Sequence, residues 1–591
     1  MANYPAWPGD PSRIRAGDLD QMVWYLAWTP HAIGHGQNLF ATNWLNYPAG
    51  VNLAQNTSAP LLGLVTAPLT LAVSPLASLN LLLWLAFPLS AFSMFVVLRR
   101  WVGWDLAAFV GGALYGFSPY VVTQSVDHLN LAFVPLPPLI LLCAYETIRP
   151  QSVHPLRWGA ALGALVVGQF FISPEIAATS ILVAAVCGVV LAVARPHGVW
   201  PALRRSGLAL LLASGITIVS VAYPVWMMTK GPSRYVGQAY PGGVSADLLS
   251  SIAPTPLQLL VPARLAVAGS HLVFGNGSEN GSGYLGIPLV LLLIIFVVMC
   301  WRNRWIRFAA LLTVLTTILS LGAHLIVDNH VTSVPLPWDV LQHLPLANNV
   351  IVVRLSLYTA FFAGLLVALA MTDLRDRWRR GRDSATEHRR ARFEKRGGLV
   401  VAVSALGALG LVSVLSLIPS WPLVTAPADV PSFFASGEVQ RIPYGSVTLI
   451  SPYPSVAEVQ PQLWQAVAKM RFRIIGGYAL VPGSRGAPTN FPQILRPRQV
   501  EQFLWAHATG GAPYPMGPVP KDSNELACQL RSFLLRYRVA SVIATPANAQ
   551  PGPIDALYTR AMGPPTYTGG GVMAWFGVRD DVASRAGSCT T

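Results

Sequence analysis

Charge is what this sequence has least of. Asp, Glu, Lys and Arg make up 11% of its 591 residues, against about 25% in an ordinary soluble domain. That shortage excludes reading the length as a string of about four soluble domains. Acid is scarcer still, with 25 Asp and Glu against 40 Lys and Arg, for a net charge of +15. On a soluble chain this balance would raise nucleic-acid binding. Here many basic residues sit in short loops between apolar runs, a mark of membrane topology, so nucleic acid is set aside as a partner. The five cysteines are too few for a disulfide scaffold. Cys143, Cys187 and Cys300 lie in apolar runs and read as buried hydrophobes. Cys528 and Cys589 are left as the pair that could bond. What the chain has in quantity is apolar surface, 53% hydrophobic residues with a mean hydropathy of +0.49.

A helix crosses the hydrocarbon core with about 20 mostly apolar residues. On that length, spans are expected at 79–98, 105–123, 131–148, 157–172, 176–195, 207–228, 284–300, 307–326, 350–371 and 398–418, ten in all. The loops at 99–104, 149–157, 195–206, 301–307 and 372–397 carry 2, 2, 3, 3 and 10 Lys or Arg, while those at 124–130, 173–175 and 327–349 carry none. The long loop 229–283 carries only Lys230, Arg234 and Arg264. Positive residues are retained in the cytoplasm, so the basic loops read as inside. Residues 1–78, the loop 229–283 and everything after 419 then read as outside. The same bias makes 157–195 a hairpin turning at Ser173-Pro174-Glu175, not one broken helix. The arginine-rich segment 372–397 reads as a retention signal for topology, with contact to anionic headgroups of the membrane lipids as the second reading.

The expected architecture is an α-helical polytopic membrane protein in three parts: an exported first loop with amphipathic helices (1–78), a transmembrane helical domain (79–418) and an extracytoplasmic α/β domain (419–591). The last part alternates apolar and polar residues at Ser446–Ser451, Val539–Thr545 and Val572–Phe576, and shows helical stretches at Arg498–His507 and Asn524–Tyr537. Residues 1–58 are polar and read as exported, yet hold neither a signal-peptide core nor a spanning helix. A first span encoded upstream, and eleven spans in the natural protein, are therefore expected.

The stretch Gly17 to His35 carries the most chemistry. On an ideal helix Asp20, Trp24, His31 and His35 fall within about 60° of one another, an acid, an indole and two imidazoles on one face, with Pro30 placed where it would bend that face. Asp18 stands three before Gln21, the spacing of a helix N-terminal cap, so capping and chemistry are even alternatives for it on local pattern. Asn43-Trp44-Leu45-Asn46-Tyr47-Pro48 follows. Its aromatic faces suit sugar rings as well as interface anchoring.

Taken together, Gly17-Asp18, Gln21, Trp24 and Trp28, then Tyr47-Pro48, Gly116-Phe117-Ser118-Pro119-Tyr120, His128-Leu129-Asn130-Leu131 and Asn280 to Gly286 resemble actinobacterial multi-pass glycosyltransferases of the GT-C type, over residues 17–375. The resemblance implies a polyprenyl-phosphate sugar donor and transfer to a cell-wall polysaccharide or glycolipid outside the membrane, with an acid of the first exported loop at the reaction centre. Asp18 stands at that acid's position and is the expected base, with Asp20 second. Such transfer needs a carboxylate for the acceptor's proton and cations for the departing phosphate. Arg354, just inside the outer end of a span, is the expected phosphate ligand, with Lys230, Arg234 and Arg264 behind it. Trp24, His31, His35, Asp127, His128, Glu175 and Glu279 are the residues expected to line an exported cavity. A divalent cation on Asp18, Asp20 or Glu175 is compatible with the residue types but has no ligand-spacing motif behind it.

The chain has no phosphate-binding glycine loop, no Gly-x-Ser-x-Gly elbow, no His-Glu-x-x-His and no Cys-x-x-Cys. That favours a donor already activated on lipid over cytoplasmic nucleotide. The rival reading is a transporter or flippase of lipid-linked saccharide, which calls for repeated halves and ionisable residues at the bilayer midplane. The nearly uncharged spans, with acids and aromatics at their outer ends, favour the enzyme.

Overall fold

A computed structural model describes residues 3–5, 17–149, 152–194, 196–238, 244–274, 279–343, 349–383, 393–420, 425–490, 499–508, 521–547 and 550–585. Helix α1 (Gly17–Gly34) is followed by short hairpins and turns, and then by the apolar helices. These are α2 (Pro75–Val102), α3 (Asp105–Gly116), α4 (Pro119–Asp127), α5 (Leu136–Ile148), α6 (Pro155–Ile172), α7 (Pro174–Ala194), α8 (Pro196–Lys230), α9 (Ile287–Met299), α10 (Arg304–Ser320), α11 (Ser356–Asp383) and α12 (Phe393–Leu417).

Each expected apolar run is helical over most of its described length, and the turn at Ser173 separates α6 from α7 as a hairpin. Among the described residues, seven stretches are long and apolar enough to cross a membrane: 75–102, 105–127, 129–148, 155–172, 174–194, 204–230 and 352–380. The run expected at 284–300 becomes a 13-residue helix, which at 1.5 Å per residue reaches about 20 Å, short of a hydrocarbon core of about 30 Å. The cause is Gly286, whose φ of +78° keeps residues 284–286 out of the helix. The run at 307–326 likewise ends at Ser320, before Gly322 (φ +92°) and a strand pair, His324–Val327 with His330–Pro335.

One stretch is the axis of the bundle: the Val352–Arg380 window is 94% buried, whereas Arg204–Lys230 at the periphery is only 17% buried. With little hydrophobic driving force between helices in lipid, small residues permit close approach. A Cβ at Gly111 of α3 would stand 2.6 Å from the carbonyl oxygen of Gly364 in α11, and the reverse holds for Gly364.

The basic loops collect at one end of this bundle. Arg100 and Arg149 both hold the buried Glu146, at 2.8 and 3.1 Å. Arg375 lies over the Trp104 ring at 4.6 Å, and Arg377 pairs with Asp373 at 2.7 Å. At the opposite end sits the C-terminal α/β unit. Its five-stranded sheet comprises β1 (Val447–Ser451), β2 (Arg473–Ile474), β3 (Val539–Ala544), β4 (Tyr567–Gly569) and β5 (Val572–Phe576), in the order β2-β1-β3-β5-β4. β1 is parallel to both β2 and β3, and the remaining pairs are antiparallel. Helices α13 (Gln460–Val467), α14 (Gln499–Ala508), α15 (Asn524–Arg536) and α16 (Pro551–Met562) complete it. Cys528 of α15 is disulfide-bonded and Cys143, Cys187 and Cys300 are free, whereas Cys589 lies outside the described residues.

The first loop and the C-terminal unit, read from sequence as separate parts, share one core. Trp24, Trp28 and Leu45 pack in a single cluster with Leu79 and Leu82 of α2 and with Phe433, Phe434, Trp464 and Phe472. Helix α1 is sandwiched between membrane helices and α13, and the Trp24 indole donates to Gln465 Oε1 at 2.6 Å.

Candidate active site

Breaks in helices build the site. The run expected as one span at 105–123 is interrupted at Phe117-Ser118, because Pro119 cannot donate into the helix before it and starts α4 instead. The redirected α4 is buried from Pro119 to Val126 and carries Gln124 inward. His128 follows at its end. The Ser173 turn delivers Glu175, the loop before α9 delivers Glu279, and a 3₁₀ turn (Val352–Leu355) leading into α11 delivers Arg354.

These groups meet. Arg354 Nη1 pairs with Glu175 Oε2 at 2.5 Å, and Arg354 Nη2 and Nε donate to Glu279 Oε1 at 2.7 and 2.8 Å. Gln124 Nε2 donates to the other Glu279 oxygen at 2.5 Å, and the Ile351 backbone N–H donates to Glu175 Oε1 at 3.2 Å. Glu279 is fully buried, while the Glu175 side chain is 20% exposed. A buried pair of this kind holds only when hydrogen bonds complete it. Here they do.

Beside this network Asp18 Oδ2 lies 2.8 Å from His128 Nε2. Burial alone would raise the Asp18 carboxyl, but the hydrogen bond and charge of His128, a hydrogen bond from Tyr478 and the charge of Arg354 together hold it below its ordinary 3.8. Burial pulls His128 down, and the Asp18 hydrogen bond and charge overcome it, raising the imidazole above 6.5. Both shifts favour the charged form, a carboxylate facing an imidazolium. Asp18 belongs to the first turn of α1, where the helix dipole also favours negative charge. Gln21, the partner in the alternative cap reading of Asp18, has its side-chain amide turned to the Tyr478 carbonyl, to which it donates at 2.8 Å.

Asp20 faces elsewhere. It is 3% exposed, its Oδ1 has no hydrogen-bond partner among the described residues, and burial pushes it up to about 7. The expected aromatic stripe exists and runs straight through Pro30: Trp24 stacks on Trp28 at 5.4 Å, Trp28 meets His31 at 5.6 Å, and His31 stacks on His35 at 4.3 Å. Burial, then the neighbouring His35, pushes His31 down to about 4. The stripe is packed against the C-terminal unit, with Trp24 wholly buried, and so Trp24 lines no open cavity.

Asp127 ends α4, one residue before His128. Lys230, Arg234 and Arg264 are exposed, and among the described residues none of them is in an ion pair. The structure therefore gathers Asp18, His128, Glu175, Glu279 and Arg354, and leaves Asp20, the His31–His35 pair and the three cations Lys230, Arg234 and Arg264 outside that network. No group of three His, Cys, Asp or Glu among the described residues is arranged to hold a metal ion. Sequence reasoning missed Gln124, Tyr478 and Tyr120. The Tyr120 hydroxyl is buried and unpartnered among the described residues, close enough to feel the charges of Arg354, Glu279 and Glu175. Gln124 stands four before His128, one turn back along the chain, a spacing that would have flagged it.

Residues 8–346, more than half of the chain, match a family whose description is Domain of unknown function (DUF6311). The chain belongs to that family. No curated protein matches it. Among solved structures it is similar to ArnT of Cupriavidus metallidurans, at 12% identity and a TM-score of 0.46, covering 98% of this chain and 95% of that one. It is also similar to the oligosaccharyltransferase AglB of Archaeoglobus fulgidus, solved with an inhibitory peptide and a dolichol-phosphate, at 12% and 0.40, covering 89% and 65%. A third likeness is to the arabinofuranosyltransferase AftD from Mycobacteria, at 13% and 0.48, covering 94% of this chain and 39% of that one.

Proposed function

We propose that this family member is a membrane glycosyltransferase of the GT-C type, moving a sugar from a polyprenyl-phosphate donor to a cell-envelope glycan or glycolipid on the extracytoplasmic face. The observation that carries the reading is the Asp18–His128 pair beside the Arg354 network, at the end of the helix bundle opposite the basic loops. That end is the outer one if the basic loops are cytoplasmic, and the disulfide at Cys528 fits an oxidising compartment.

In this reading the acceptor hydroxyl oxygen bonds to the anomeric carbon as the bond from that carbon to the phosphate oxygen breaks. The hydroxyl proton passes to Asp18, and the bonding pair leaves with the lipid phosphate. His128 and Tyr478 hold Asp18 ionised and oriented. Arg354 is the phosphate ligand, and a phosphate reaches its guanidinium by displacing the more exposed of its two carboxylates, Glu175. Lys230, Arg234 and Arg264 add positive potential from the outer loop.

The test is transfer from a polyprenyl-phosphate sugar in vesicles by wild type, Asp18→Asn and Asp20→Asn, each checked for folding. Losing a general base is worth about 10²–10⁴ in rate, and that loss is expected for Asp18→Asn. Full turnover by both variants removes these acids from the mechanism. Movement of intact lipid-linked sugar without transfer would establish the flippase instead.

A further inference from the structure

Asn43 and Trp44, which open the Asn43-to-Pro48 motif, belong to a second site. They line one wall of a cleft of about 510 Å³ between the first loop, the turn at Pro232-Ser233 and strand β2 of the C-terminal unit. Along α1, Trp28 at the cleft is ten residues from Asp18, which at 1.5 Å per residue is about 15 Å. One monosaccharide cannot touch both.

The walls are locked. The Ile474 N–H donates to the Trp44 carbonyl at 3.0 Å, and the N–H groups of Asn46 and Tyr47 donate to the carbonyls of Gly476 and Ile474 at 2.8 and 3.1 Å. Asn52, wholly buried, ties the first loop to the carbonyls of Met227 and Pro232, at 2.8 and 3.1 Å. Gly50, at φ +75°, admits no Cβ, because one would stand 2.5 Å from the Thr42 carbonyl oxygen. Into this frame β2 delivers Arg473, whose guanidinium lies over the rings of Trp44 and Tyr47 at 5.6 and 6.0 Å.

Its donors have no takers. Arg473 Nε is buried without a hydrogen-bond partner among the described residues, and so is the indole N–H of Trp28, a residue 1% exposed. The amides of Gln37 and Asn43 line the same cleft, which has no acidic lining residue, and the exposed Lys230 and Arg234 flank the Pro232-Ser233 turn. Buried polar groups are nearly always satisfied, and here the missing partner must be an acceptor, preferably an anionic one.

From this arrangement we infer that the cleft binds an anionic saccharide, a sugar unit bearing a carboxylate or phosphate. Arg473 pairs with the charge, the Trp28 N–H and the Asn43 amide donate to hydroxyl or ring oxygens, and Trp44 and Tyr47 brace the guanidinium. If the glycosyltransferase reading holds, this unit is a preceding residue of the acceptor glycan. Binding at the cleft does not itself require transfer.

The experiment measures binding to the full chain in nanodiscs by calorimetry, with a tri-uronic acid, a neutral trisaccharide of the same size, and vesicles containing an anionic phospholipid as probes. Saturable binding of the acidic trisaccharide is expected, with affinity falling at least tenfold in Arg473→Gln and severalfold in Trp28→Phe, which keeps an aromatic face and deletes the N–H. Asn43→Asp, on an exposed residue whose change leaves the fold alone, is expected to weaken binding by charge repulsion. Equal affinity for neutral and acidic probes, indifference to Arg473→Gln and Asn43→Asp, or binding to the phospholipid vesicles alone would overturn the inference. Asp18→Asn is expected to leave the affinity unchanged, so loss of transfer and loss of binding are read separately.

Discussion

Replacing Arg354 with Met removes a cation from between two carboxylates of unequal burial. Glu279 is wholly buried and accepts two of its hydrogen bonds from that guanidinium, whereas Glu175 is 20% exposed. Without Arg354, Glu279 is a buried charge left with the Gln124 hydrogen bond and the charge of His128, and breaking a buried pair from one side costs about 3–5 kcal/mol. Glu175 can turn to water and costs far less. Three consequences follow for reversible unfolding in mixed micelles. Arg354→Met is expected to lose about 3–5 kcal/mol. Adding Glu279→Gln to it is expected to recover part of that loss, because the orphaned charge is gone, giving a coupling of about 1–3 kcal/mol. Adding Glu175→Gln instead is expected to recover little. A loss under about 1 kcal/mol for Arg354→Met, or equal recovery from the two glutamates, would refute the reasoning that burial sets the cost.

Other expectations concern titration and topology. Asp20 is pushed up to about 7 in the folded state from an ordinary 3.8. The fold therefore binds the extra proton, and stability falls as pH rises through that interval. Asp20→Asn is expected to be more stable than wild type by roughly 3–5 kcal/mol at pH 8, with the difference vanishing below about pH 4; denaturation across that range checks it. For the Asp18–His128 pair the signs oppose. Asp18 is lowered, so its contribution is present above 3.8 and lost as pH falls, while His128 is raised, so its contribution is present below 6.5 and lost as pH climbs through the folded value. The stability gap between wild type and His128→Gln should be widest between those values and narrow on either side. A cysteine at Asn43 should react with a membrane-impermeant maleimide in intact cells, and one at Arg302 only after lysis.

The membrane helices were legible because period and length act locally: an apolar run of span length is helical over most of its length, and the two that fall short, at 284–300 and 307–326, meet Gly286 and Gly322. The strands Val447–Ser451, Val539–Ala544 and Val572–Phe576 and the helix Asn524–Arg536 were legible for the same reason, each writing its own alternation or amphipathic face. Asp18, His128, Glu175, Glu279 and Arg354 were singled out as polar residues at helix ends, but which of them touch depends on breaks whose angles composition does not encode. Tyr478 shows the limit most plainly. It reaches Asp18 across 460 positions of chain only because α13 packs on α1, a long-range fit with no local signature. Arg354 was expected as an open phosphate ligand, and no single-sequence pattern could reveal that two glutamates, 179 and 75 positions away, already hold it.

That occupancy turns the phosphate assignment into a sharper question. One Arg354 charge faces two carboxylates, so a donor phosphate arriving with both in place meets net negative charge. Two unit charges 4 Å apart at an effective dielectric constant of about 20 interact by about 4 kcal/mol, enough to decide between binding and exclusion. The half-open Glu175 is the side that can yield, since its lost partner is replaced by water, whereas Glu279 has none to turn to. Glu175→Gln therefore removes the competitor without orphaning a buried charge. Under the proposal it lowers KM for the polyprenyl-phosphate sugar severalfold and leaves kcat near wild type. Arg354→Gln, by contrast, raises KM and loses stability together. If Glu175→Gln leaves KM where it was while Lys230→Gln or Arg264→Gln raises it, the phosphate is held by the outer-loop cations, and Arg354 is a strut that fixes the hairpin, the Glu279 loop and the axial helix around Asp18.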